Sequence, residues 1–200
     1  HAPGSSIINQ ERWTVDAPSL VRLTGGASPV AGALFDNSES LAEFIKEGTG
    51  TCVVEIPFDN ESGSVLALEG ILEFQQATQY DGSTGSLEGG NWAVAGTGVI
   101  RFPGPLPLTI ISPQANVTLQ GGGSIEGIGN LAEINGALAV EQGGTLTIQG
   151  ASVNGELGDG ESIQLGAAST IDAQFLDVSG ILSVPSIMTV TSANGIDLEN

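Results

Sequence analysis

Pairs of apolar residues separated by one position recur about every six residues through the last part of this chain. That spacing constrains the fold more than any other feature. From Phe175 the text runs FLDVSG ILSVPS IMTVTS ANGIDLEN. Leu176/Val178, Leu182/Val184 and Met188/Val190 lie six apart, and Ile196/Leu198 follows. The rhythm also carries Leu119, Ile125 and Leu131, and Ile128, Ile134, Val140 and Leu146. Residues two apart on a strand share a face, so each pair marks a short strand with one buried side. Gly, Ser, Asn and Thr between the pairs supply corners. At about 3.3 Å per residue, six residues make a side of roughly 20 Å, and three sides close a coil of roughly 18 residues. The expected fold is therefore all-β, a parallel β-helix (solenoid) with Val178, Val184, Val190, Ile134, Val140 and Leu146 inward. Longer corners are expected between Ile148 and Ile171, where the rhythm slips. The alternative is an antiparallel β-sandwich or jelly roll, with Ser179-Gly180 and Pro185-Ser186 as hairpin turns. Two-residue hairpins need positive φ, which Pro-Ser cannot supply, so solenoid corners fit better.

Composition narrows function more than fold. Thirty glycines, with two Trp, one Tyr and six Phe, suit tight turns around small side chains. The formal charge of −19 sets 23 acids against four bases, Arg12, Arg22, Lys46 and Arg101. From Phe102 to Asn200 there is no Lys, Arg or His. Nucleic acids and anionic membranes need clustered cations, so neither is an expected partner. No apolar run approaches the ~18–20 residues of a membrane span, and no membrane insertion is expected. Cys52 is the one cysteine, within Cys52-Val53-Val54, and is expected as a buried free thiol. A leader or other segment is expected to have preceded His1.

Residues 1–36 read as an extended N-terminal arm, with prolines at 3, 18 and 29, a Gly25-Gly26 pair and no six-residue rhythm. Arg12, Trp13, Leu20 and Arg22 are its candidate partner-binding residues, since a free tail would leave Trp13 and its apolar neighbours wet. Residues 37–200 would form the β-helix domain. Within it, 38–48 reads as a capping α-helix: Ser40-Leu41-Ala42-Glu43 matches a capping box, Leu41, Phe44 and Ile45 make an apolar face, and Gly48 closes the end. Thr51 to Pro57 then reads as a strand ended by proline. This stretch, Ser40–Pro57 with the β repeat behind it, resembles the opening of pectin-lyase-like right-handed β-helix proteins. Phage tailspikes, virion spike or decoration proteins and secreted polysaccharide enzymes share that fold, and the resemblance implies a helix plugging the first coil.

Catalytic chemistry finds few carriers. Lyase and polygalacturonase chemistry on such folds needs Lys, Arg or His beside acids, and Lys46, Arg101 and terminal His1 stand apart. Ser-His-Asp and Cys-His catalysis fail for the same reason. A two-carboxylate glycosidase needs only acids, and Asp159 and Glu161 are the tightest pair, with Glu156 nearby. Those three could instead hold Ca²⁺ through carboxylate and carbonyl oxygens; no other cofactor or metal is expected. Asn60-Glu61-Ser62 and Asn116-Val117-Thr118 fit the glycosylation sequon. The expected function is a non-enzymatic structural protein on a virion surface: a phage capsid decoration or spike-like component. It would be a homotrimer whose arm binds a capsid or other scaffold protein. The alternative is an extracellular or cell-surface bacterial adhesin or filament subunit, and a third reading is a polysaccharide-degrading enzyme.

Overall fold

Strand is nearly the only regular secondary structure among the described residues, and the strands pair mostly in parallel. The computed structural model describes residues 6–16, 18–23, 33–142, 145–148 and 152–153, and beyond these the backbone of short strands between 156 and 198. The longest sheet has nine strands in the order Arg12–Asp16, Glu43–Glu47, Ser64–Ala67, Gly90–Val94, Ala115–Gln120, Ala137–Glu141, Glu156–Asp159, Phe175–Val178 and Ile196–Leu198. Each pairs in parallel with the next, and other strands intervene along the chain between them. The intervening strands build further ladders. A five-stranded sheet holds Val21–Leu23, Thr51–Val54, Ile71–Phe74, Val99–Arg101 and Ser124–Ile125, and a three-stranded one holds Thr145–Ile148, Ser162–Leu165 and Ile181–Ser183. A third set runs through Ser6–Ile8, Leu34–Asp36 and Phe58–Asp59, and a seven-stranded sheet runs from Tyr80–Asp81 to Val190–Ser192. Among the described residues only Tyr80–Asp81 with Ser86–Leu87 runs antiparallel, which does not suit a sandwich or jelly roll.

The interval between partners on the long sheet is 31 residues from Arg12 to Glu43, 25 from Asn91 to Asn116 and 21 from Gln120 to Glu141. It tightens to 19 between Leu138, Leu157 and Leu176. The early circuits are longer because loops such as Tyr80–Ser86 and Pro103–Pro107 interrupt them. Alternation along each strand sends one set of side chains inward. In register these are Trp13, Phe44, Val65, Trp92, Val117 and Leu138, and beside them Val15, Lys46, Ala67, Val94, Leu119 and Val140. All are buried except Trp13, which lies at the edge of the stack and is 36% exposed. Ile134, Val140 and Leu146 are buried as their spacing predicts. Val178 and Val190 lie on strands, and Val184 falls outside the described residues.

Aromatic side chains fill the early circuits. Phe35 stacks on Phe58 at 5.2 Å, and Phe44, Phe74, Trp92, Phe102 and Tyr80 continue the contacts edge-on, tilted or stacked. Such pairs contribute about 0.5–1.5 kcal/mol each beyond area burial.

Two expectations are corrected here. Residues 38–48 are not a helix: Ser40-Leu41 is a turn and Glu43–Glu47 is a strand paired on both sides. Phe44 and Lys46 go inward, while Leu41, assigned to the helix face, is 79% exposed. Ladder bonds to two neighbours and the Phe44 ring contacts outweigh the local helical signal. Nor do the described residues of 1–36 stand apart as an extended arm. Ser6–Ile8, Arg12–Asp16 and Val21–Leu23 are the first strands of three ladders.

Candidate functional site

The four residues expected to carry partner binding sit on the first circuit but do not converge. Arg12 and Trp13 are neighbours on one strand and so face opposite sides of it. The Arg12 guanidinium meets the Glu43 carboxylate at 2.8 Å on the outer face. The Trp13 ring lies edge-on to Phe35 at 5.2 Å. Leu20, 56% exposed, precedes the strand carrying Arg22, whose guanidinium pairs with Glu55. Ile8 is also exposed here, so this end of the stack shows an apolar rim with cations already engaged.

The proposed calcium or carboxylate group is only partly placed. Glu156 and Asp159 share one strand, opposite Ala137 and Val140 in register, and Glu161 lies outside the described residues. Among the described residues no group of three His, Cys, Asp or Glu is arranged to hold a metal ion. No helix among them is long and apolar enough to cross a membrane.

Residues with catalytic potential have structural employment. Lys46 is fully buried, and its ammonium donates to the carbonyls of Glu47 at 2.6 Å, Glu69 at 3.1 Å and Gly48. Burial lowers its pKa, against the opposing pull of Cys52, Asp16 and Glu69. Cys52 lies beneath, fully buried, its thiol pushed up to about 11 by burial and only partly relieved by Lys46. Arg101 bridges Glu126, just past Ser124–Ile125, at 2.5 Å and Glu73, on Ile71–Phe74, at 3.7 Å. The Asp81 carboxyl is held below its usual range by the Ser83 hydroxyl and amide and by Thr84.

One functional-looking feature escaped sequence reading. Asn9, Asn37 and Asn60 are all buried and form a ladder: Asn9 Nδ2 donates to Asn37 Oδ1 at 2.6 Å, and Asn37 Nδ2 to Asn60 Oδ1 at 2.7 Å. They also donate to the Glu43, Ser64 and Asn91 carbonyls, tying the corner to the long sheet. The available signal was Phe35-Asp36-Asn37 repeated as Phe58-Asp59-Asn60. Asn60 of the first sequon is thus structural, whereas Asn116 of the second is exposed.

Among the described residues a concavity lies elsewhere, on the outer face of the long sheet. It is a groove of about 350 Å³ crossing five strands. Ser64, Asn91 and Asn116 line one side, with the Arg12–Glu43 pair at one end, and Ile45, Leu66, Ala93 and Thr118 line the other. Compared with protein-family models, curated proteins and solved structures, the chain matches none of them.

Proposed function

We propose that this chain is a parallel β-helix and acts as a non-enzymatic structural protein displayed on a particle surface. The chosen form of that role is a phage capsid decoration or spike-like virion component. The nine-strand parallel ladder, with other strands intervening between each partner and the next, carries the reading, because it is the strand order of stacked coils. Attachment falls to the first circuit, whose rim of Ile8, Trp13 and Leu20 is exposed, rather than to a free arm. Lys46 and Cys52 serve the interior, and Arg12, Arg22 and Arg101 each hold a carboxylate on or just past the neighbouring strand of their ladder. The acidic surface keeps neighbouring particles apart by charge. Light scattering on the purified chain should give a trimer, and incubation with acidic and neutral polysaccharides should release neither reducing ends nor unsaturated products. Turnover of either kind of polymer would overturn the structural role.

A further inference from the structure

We propose that the strand Arg12–Asp16 pairs antiparallel with the same strand of a second copy, so that two stacks meet first circuit to first circuit. This strand is an edge of the long sheet. It pairs with Glu43–Glu47 on one side, and among the described residues no strand pairs with the other. The Glu43 amide donates to the Glu11 carbonyl at 2.6 Å, so that ladder uses the main-chain groups of Trp13 and Val15. Those of Arg12, Thr14 and Asp16 point the other way, a row that is a template for another strand. Trp13 heads an inward column whose next members, Phe44, Val65 and Trp92, are buried. It stays 36% exposed itself, at the place where a further strand would cover it.

The strand's own sequence selects the occupant. Read against its reverse about Thr14, Arg-Trp-Thr-Val-Asp finds a match at every position. Arg12 falls opposite Asp16 of the second copy, Trp13 opposite Val15, and Thr14 opposite Thr14 on the two-fold axis. Opposite charges, an aromatic against a β-branched residue and paired threonines are favourable cross-strand neighbours. The faces agree, since Arg12, Thr14 and Asp16 alternate with Trp13 and Val15 in both copies. So does the main chain: directly opposed residues in an antiparallel pair exchange both bonds, and the outward groups belong to Arg12, Thr14 and Asp16. Charge on the outer face points the same way. Arg12 gives its Nε to Glu43 at 2.8 Å, and a guanidinium has donors enough for a second carboxylate. Asp16 stands opposite Glu47 in register, a like charge, and Arg12 of the second copy supplies a cation on its open side. Slipping the pairing by two residues either way sets Thr14 against one of these charges instead. A two-fold contact of this kind uses one patch twice and closes. The inference concerns the chain free of any particle; it needs neither a trimer nor a scaffold, and the attachment reading stands or falls by its own test.

Sedimentation equilibrium of the full chain over a concentration series tests it, with Arg12→Asp, Asp16→Arg and Thr14→Cys beside the wild type. Whatever unit Asp16→Arg leaves, trimer or single chain, the wild type should double it reversibly and stop there. Asp16→Arg sets like charges opposite one another and should weaken the doubling at least tenfold, as should Arg12→Asp. Mixing those two variants restores both opposite-charge pairs and should restore the doubling, which a merely structural role for either residue would not do. Thr14→Cys, at an exposed position on the axis, should link two chains by a disulfide under mild oxidation. Thermal melts confirm that each variant folds, and Asp16→Arg with the Thr14→Cys link carries the test should Arg12→Asp melt early. No doubling of the wild type up to millimolar concentration overturns the proposal. So does doubling that Asp16→Arg leaves unchanged, or Thr14→Cys that forms no link between chains. A mass that keeps growing with concentration would mean head-to-tail stacking and overturn it equally.

Discussion

Lys46 and Cys52 show how one circuit accommodates polar atoms in an apolar interior. An ammonium out of water needs acceptors, and it finds the Glu47 and Gly48 carbonyls at the corner after Glu43–Glu47 and the Glu69 carbonyl after Ser64–Ala67. The thiol beside it stays protonated because burial disfavours the thiolate, which moves its pKa from 9.0 to about 11. The unfolded chain then loses the Cys52 proton before the folded one does, so this thiol's contribution to stability is complete below pH 9 and declines between pH 9 and 11. At pH 10.5 the decline amounts to about 2 kcal/mol. Urea denaturation at pH 8 and pH 10.5 should show that loss in the wild type, beyond any loss shared with Cys52→Ala. Equal pH sensitivity in both proteins would mean the thiol titrates normally. A free, buried Cys52 was legible from its apolar neighbours. The carbonyl cage around Lys46 was not, because one of its acceptors, the Glu69 carbonyl, lies 23 residues from Lys46 along the chain.

At the scale of elements, the corner ladder of Asn9, Asn37 and Asn60 couples successive circuits more tightly than a surface pair could. Asn37 accepts from one amide and donates to another, and also donates to the Ser64 carbonyl. Asn37→Ala strands those buried groups and should cost about 2–4 kcal/mol, since each unsatisfied buried group costs roughly 1–3. Asn116→Ala, on the outer face, should stay within about 0.5 kcal/mol in the same urea titration. Matching losses at the two sites would show the ladder to be no better than a surface pair. Space is as strict as bonding here. A Cβ at Gly90 would overlap the Asn60 carbonyl oxygen, and this glycine also holds φ at +81°. The segment 38–48 shows the limit of local reading. Its capping box and i, i+3, i+4 spacing are genuine helix signals, and Glu43-Phe44-Ile45-Lys46-Glu47 carries no apolar/polar alternation to argue for a strand instead. Only pairing partners at Arg12–Asp16 and Ser64–Ala67 decide between the two.

For the whole molecule, the first circuit is part of the stack, so its removal should be felt throughout. Deleting residues 1–36 strips the strand paired to Glu43–Glu47 and removes Trp13, Val15 and Phe35 from the aromatic interior. The truncated protein should melt well below the full chain or aggregate, as seen in parallel thermal melts and size-exclusion with light scattering. An unchanged melting temperature would return these residues to the status of an accessory arm. The all-β character and the inward placement of Ile134, Val140 and Leu146 were already set by the sequence. A six-residue apolar rhythm with glycine-rich corners and no internal cations has few other ways to bury itself. The burial of Cys52 followed from its neighbours in the same way. Tertiary structure alone decided that residues 6–23 join the ladders, that 43–47 is a strand, and that Asn9, Asn37 and Asn60 meet. It also decided that five strands leave a neutral groove on an acidic chain. Each of these depends on residues about 20 to 35 positions apart becoming neighbours across a ladder, and the energies of such pairings are written in register rather than in local sequence.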